Sequence, residues 1–173
     1  MFGLPIDEGS EHDNQSIKLS TKKGRWINNV RRNERAPLAM KAAEDFTHKN
    51  CPGIITRSLS SSYNCVGMVF SSRRTWIDPD QLQKIFYDDE YIRISEKSRL
   101  MVGDLVIYKS NSKSKDCDHI GIIIQIVPQP GEQDFKILVL SQLGADGEYI
   151  HEEDNVPPHI GNFREYFSER KMP

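Results

Sequence analysis

Between residues 34 and 88 apolar side chains recur every three or four positions, and from residue 105 onward they gather in short runs. The first pattern predicts helices and the second predicts strands. Leu38, Ala42 and Phe46, with Ala39 and Ala43, fall on one face of a helix predicted over 34–49. Pro37 suits its first turn, where a missing N–H costs nothing, and Cys51-Pro52-Gly53 closes it. A short extended piece at 54–56 and a Ser-rich loop at 59–63 follow. From Cys65 the helical pattern returns in Val66, Val69 and Phe70 and continues as a mixed face through Arg73 and Trp76, with Asn64 or Ser62 as N-cap. Asp78-Pro79 opens a further helix carrying Leu82, Ile85 and Phe86, and 88–98 reads as charged surface with a short strand. The runs at 105–108, 120–127 and 137–140 are strand-like, and 149–151 and 163–167 add two more. Helices first and strands later predict an α+β fold, N-terminal helices packed on an antiparallel β-sheet.

The first 33 residues interrupt this regularity. Rich in Glu, Asp, Asn, Ser, Lys and Gly, they read as a flexible arm (1–33) ahead of one folded domain (34–173), with a short amphipathic piece around Trp26, Ile27 and Val30. Lys22, Lys23, Arg25, Arg31 and Arg32 make the arm locally basic, either as a solvated tail or as a contact for an anionic partner. Over the whole chain of 173 residues, 23 basic against 25 acidic side chains give a net charge of -2. That balance gives no electrostatic argument for nucleic acid, and no run is long and apolar enough for a membrane span. No signal peptide is read in the first twenty residues. Three cysteines, Cys51, Cys65 and Cys117, do not make a disulfide framework.

The chemistry concentrates in three short stretches: Asn64-Cys65-Val66-Gly67, Gly103-Asp104-Leu105-Val106-Ile107-Tyr108 and Asp118-His119-Ile120-Gly121-Ile122. A cysteine at a predicted helix start sits where the helix dipole favours a thiolate. A histidine opening a core strand can serve as its base, and a third polar group should orient that histidine. The next strand runs out into Ser141-Gln142, and a hairpin would bring one of these back to His119. Gly103-Asp104 reads as structural, a turn glycine followed by an aspartate that bonds backbone at the strand start. Cys117, His119, His151 and His159 match no common zinc spacing, so no metal and no cofactor is expected. Asp146, Glu148 and Glu152-Glu153-Asp154 form an acidic cluster, either a solvated face or a cleft border selecting a cationic group.

These three stretches, in this order, resemble the motifs of the NlpC-type cell-wall endopeptidases, a bacterial branch of the papain-like fold; the likeness covers about residues 36 to 168. That family's Asp-Cys-Ser-Gly is here Asn64-Cys65-Val66-Gly67, and the tyrosine it carries upstream of the cysteine is absent, Tyr63 being the nearest. The resemblance implies a papain-like domain in which Cys65 is the nucleophile, His119 the general base and acid, and Gln142 the residue that orients His119. Tyr63, Asn64, Val66 and Asp118 flank the pair and become the candidates to meet substrate. It further implies a cysteine peptidase or amidase acting on peptidoglycan stem peptides. An inhibitor or immunity protein would be its natural partner, and the protein would be cytoplasmic or exported by a signal-independent route. A papain-like enzyme acting on another amide or ester, and a non-catalytic interaction module retaining the fold, stay open as alternatives.

Overall fold

Among the described residues every strand pairing is antiparallel, and the sheet order shows how the chain is laid down. The computed structural model describes residues 16–114, 117–129 and 135–170. Within them the elements run β1 (Asn29–Val30), α1 (Pro37–Asn50), β2 (Ile55–Ser58), α2 (Cys65–Phe70), β3 (Trp76–Ile77), α3 (Leu82–Asp88), β4 (Ile92–Ile94), β5 (Leu105–Lys109), β6 (His119–Pro128), β7 (Phe135–Gln142), β8 (Glu148–Glu152) and β9 (Phe163–Ser168). Seven strands form one sheet in the order β2-β8-β7-β6-β5-β9-β4, and β1 pairs with β3 in a separate ribbon. The fold is therefore α+β with an antiparallel sheet and few helices.

The sheet buries both faces, which explains why β5 reads as a continuous apolar run and not an alternating one. Leu105, Ile107 and Ile120 point to one side, where they pack with Cys65 and Val66 of α2, Leu82 and Ile85 of α3, and Ile27. Val106, Tyr108, Ile123, Ile137, Val139 and Tyr149 point to the other, against Cys51, Ile54, Leu100 and Ile160.

Three expectations need correction. Residues 1–15 of the proposed arm lie outside the described residues, but 16–33 are built into the domain. Arg25 clasps the Asp88 carboxylate through Nε at 2.5 Å and Nη2 at 2.7 Å, and the Thr21 hydroxyl donates to the same carboxylate at 2.6 Å. Ile27 is buried, and β1 runs along β3. Several of the basic side chains are engaged locally: Lys22 bonds Asp89, and the Arg32 guanidinium lies 3.9 Å over the Trp76 ring.

Helix α1 reverses the expected burial. Its apolar stripe Leu38–Ala42–Phe46 faces outward, Leu38 being 86% and Phe46 63% exposed, while Met40 and Thr47 face in.

Helix α2 ends at Phe70 and does not continue to Trp76. The Ser71 hydroxyl lies 2.8 Å from the Gly67 carbonyl and 3.2 Å from that of Thr75, and Ser72 and Arg73 then take left-handed φ values of 53° and 65°. The Arg73 guanidinium is held there by the buried Glu148 carboxylate at 2.6 and 3.1 Å.

Candidate active site

Cys65 is the first residue of α2. Asn64 adopts the extended conformation of an N-cap, and its side-chain oxygen accepts from Gly67 N at 2.9 Å, one of the donors a helix start leaves unpaired. The same oxygen accepts from Ile77 N at 3.1 Å, and the Asn64 amide donates to Ile77 O at 2.8 Å. One side chain thus starts the helix and fastens β3 beside it. Gly67 is required by a close approach: a Cβ there would stand 1.7 Å from the Thr75 carbonyl oxygen.

His119 is the first residue of β6 and the register partner of Tyr108 on β5. Cross-strand partners share a face, so the imidazole belongs to the side of Val106 and Tyr108, whereas Cys65 packs with Ile107 and Ile120 on the other. The two meet at the end of the sheet, where both line one cleft of about 720 Å3. Its walls include Asn28 and Arg32 of the N-terminal segment, Phe46 of α1, Trp76 and Asp78, and His159. Among the described residues no hydrogen bond joins the Cys65 thiol to His119; such contacts are often long in an unliganded site.

Both groups are held neutral. Burial pushes the Cys65 thiol up, and the backbone N–H groups of Ile120, Val66 and Cys65 itself act against that rise. Burial, with smaller contributions from His151 and His159, pulls the His119 imidazole down to about 3. Cys117 donates its thiol to the His119 carbonyl oxygen at 3.1 Å and packs beside the same apolar cluster as Cys65. All three cysteines are free.

The other residues singled out in the sequence scatter. Asp118 lies exposed at the cleft rim next to His119. Asn64 lines the cleft, but its oxygen accepts two backbone N–H groups and its amide is tied to Ile77. Tyr63 turns inward to donate to Glu148 at 3.1 Å, and Val66 is fully buried in the core, so neither faces the cleft. Gln142 donates to the carbonyls of Ser60 at 2.6 Å and Gly144 at 3.2 Å. Its register partner is Glu148, one position out of phase with the Ser141–Gly121 row that shares the face of His119. Asp104 bonds Met101 N at 2.7 Å and is bridged by Arg170, a structural arrangement.

The acidic cluster is ion-paired: Asp146 with Arg35, Glu148 with Arg73, Glu152 with Lys136, Glu153 with Lys97 and Asp154 with Arg164. Of these five carboxylates only that of Asp146 borders the cleft. Among the described residues no group of three or more His, Cys, Asp and Glu side chains could hold a metal ion, and no helix is long and apolar enough to cross a membrane.

The sequence weighed His151 only as a metal ligand, Trp76 only as part of a helix face and Arg32 only as part of a basic arm; the structure buries His151 on the His119 face and makes Trp76 with Arg32 the cleft lip. The histidine left a usable signal, since it lies two positions from Tyr149 in a strand-like run and so shares its face. Comparison with protein-family models, with curated proteins and with solved structures returned no match.

Proposed function

We propose that this protein is a papain-like cysteine hydrolase of amide bonds, of the NlpC type, with peptidoglycan stem peptides as substrate. The observation that carries the reading is the sharing of one cleft by a helix-starting cysteine and a strand-starting histidine, Cys65 and His119. The motif likeness around both residues supplies the reaction class and the substrate.

In this reading the Cys65 sulfur attacks the amide carbonyl while its proton passes to His119. His119 then protonates the leaving amine, and the acyl group stays on sulfur as a thioester. Water, deprotonated by His119, releases the acid. Because burial holds the resting pair neutral, the thiolate forms as substrate binds and is not stored beforehand.

The test is digestion of purified peptidoglycan by the wild-type chain and by Cys65→Ala, with fragments read by mass spectrometry. New peptide ends with wild type alone are expected, and their masses name the bond. A second measurement separates enzyme from substrate: alkylation of Cys65 followed against pH. A neutral resting pair predicts a rate that climbs only above the ordinary thiol range of about 8.5, with no plateau at acidic pH. A thiol that stays inert at every pH, in a chain that cleaves nothing, favours the interaction-module alternative.

A further inference from the structure

The catalytic reading needs a group that fixes which imidazole nitrogen of His119 carries the proton, and Gln142 stands on the other face of the sheet. We propose that Ser141 and His151 form the positioning pair for His119, holding its proton on Nε2 and leaving Nδ1 as the base. This inference rests on the hydrolase reading of the same site.

The argument begins with register. Ser141 is the partner of Gly121, two positions along β6 from His119, and His151 is the partner of Val139, two positions along β7 from Ser141. Side chains two apart on a strand share a face, so all three belong to the Tyr108 side of the sheet. The rings agree with this placement: Tyr108 lies 5.6 Å from the His119 ring and 6.5 Å from that of His151. Gly121 makes the row close: a Cβ there would meet Val139 Cγ1 at 2.4 Å and Ser141 Cβ at 3.2 Å. The absent side chain lets β7 bring Ser141 against the strand that begins with His119.

Hydrogen-bond direction then follows atom by atom. His151 Nδ1 lies 2.7 Å from the Glu152 carbonyl oxygen, which can only accept. Nδ1 therefore carries the proton. Burial pulls the His151 imidazole down to about 4, so the ring is neutral and its Nε2 is an acceptor. Ser141 Oγ lies 2.8 Å from that Nε2, so the hydroxyl hydrogen points to His151 and the serine lone pairs face elsewhere. On the same face, His119 Nε2 is buried without a partner. A buried imidazole nitrogen left unpaired costs free energy, and the acceptor we assign to it is the Ser141 oxygen, which stands on the same face with its own hydrogen given to His151. In the proposed chain His119 Nε2–H donates to Ser141 Oγ, a bond the resting structure leaves unmade, Ser141 O–H donates to His151 Nε2, and His151 Nδ1–H donates to the Glu152 carbonyl. Tyr108, whose hydroxyl is also unpartnered, borders this row from β5, and His159 approaches His119 from the turn before β9.

The experiment is long-range 15N–1H correlation of the imidazoles in the full chain at pH 7, with His119 assigned by His119→Gln. The Nε2–H tautomer is expected in wild type, and it should collapse to a mixture in Ser141→Ala and in His151→Leu. Ser141→Thr, which keeps the hydroxyl, should restore it. If the chain hydrolyses a substrate, Ser141→Ala should lower kcat on the order of 10- to 100-fold with KM little changed, a fraction of the 10²–10⁴ that general-base catalysis supplies. A wild-type Nδ1–H tautomer, or one unaltered by Ser141→Ala, overturns the proposal even while the enzyme turns over. The correct tautomer in a chain that cleaves nothing supports the pair and leaves the hydrolase reading to fail on its own test. Should the variants not fold, the wild-type tautomer alone decides.

Discussion

The N-terminal segment 16–33 and helix α1 both border the cleft, yet they are attached in opposite ways. The segment is polar and short of regular structure, but it is fastened by a carboxylate held in three hydrogen bonds and by Ile27, inserted under α3. Helix α1 has the amphipathic pattern of a core helix, yet it buries only Met40 and Thr47 and leaves Leu38 and Phe46 in solvent. The difference shows that hydrophobic periodicity reports the presence of a face and not its partner. A few directed polar bonds around one buried residue can fix a segment that composition would leave free.

Substitutions that attack each attachment sharpen this contrast. Ile27→Ala should have the largest effect, about 3 kcal/mol of unfolding free energy in urea, as expected for truncating a buried isoleucine. It should also open the cleft wall that carries Asn28 and Arg32. Arg25→Ala should come next, lowering Tm at neutral pH. The hydrogen bond from Arg25, helped by that from Thr21, holds the Asp88 carboxyl down at about 2 against an ordinary 3.8. A depressed carboxyl stabilises above its unfolded pKa and loses that contribution as pH falls through the folded one. The Tm difference between wild type and Arg25→Ala should therefore be full above about pH 5 and fall away through about pH 2, to be gone by about pH 1. Leu38→Glu should have the smallest effect, within about 0.5 kcal/mol, since the side chain touches little. A loss well beyond that would mean α1 is covered in solution and the contrast is false.

Much of the sheet was legible because its strands are β-branched runs bounded by turn residues, and the α2 start was legible in the Asn64 cap. The exit of α2 was not, because Ser71 bonding back to Gly67 and the Arg73–Glu148 pair are tertiary decisions. The same holds at the site. Sequence brought both Ser141 and Gln142 near His119 but could not choose between them by face. A bulge between Ile123 and Gln125 shifts the β6–β7 register by one, and a shift of one exchanges every side chain between faces. That local irregularity puts Ser141 in the row of His119 and sends Gln142 to Ser60 and Gly144.

Asn64 deserves a mechanical description. β1 lies on β3, β3 hangs from the Asn64 amide, and Asn64 is the residue against which the cysteine helix begins. The outer lip of the cleft and the sulfur are thus ends of one short lever, pinned at Asn64 and again where Ser71 bonds Thr75. A load applied at the lip, where Arg32 rests on Trp76, is carried to the root of the helix without passing through the sheet.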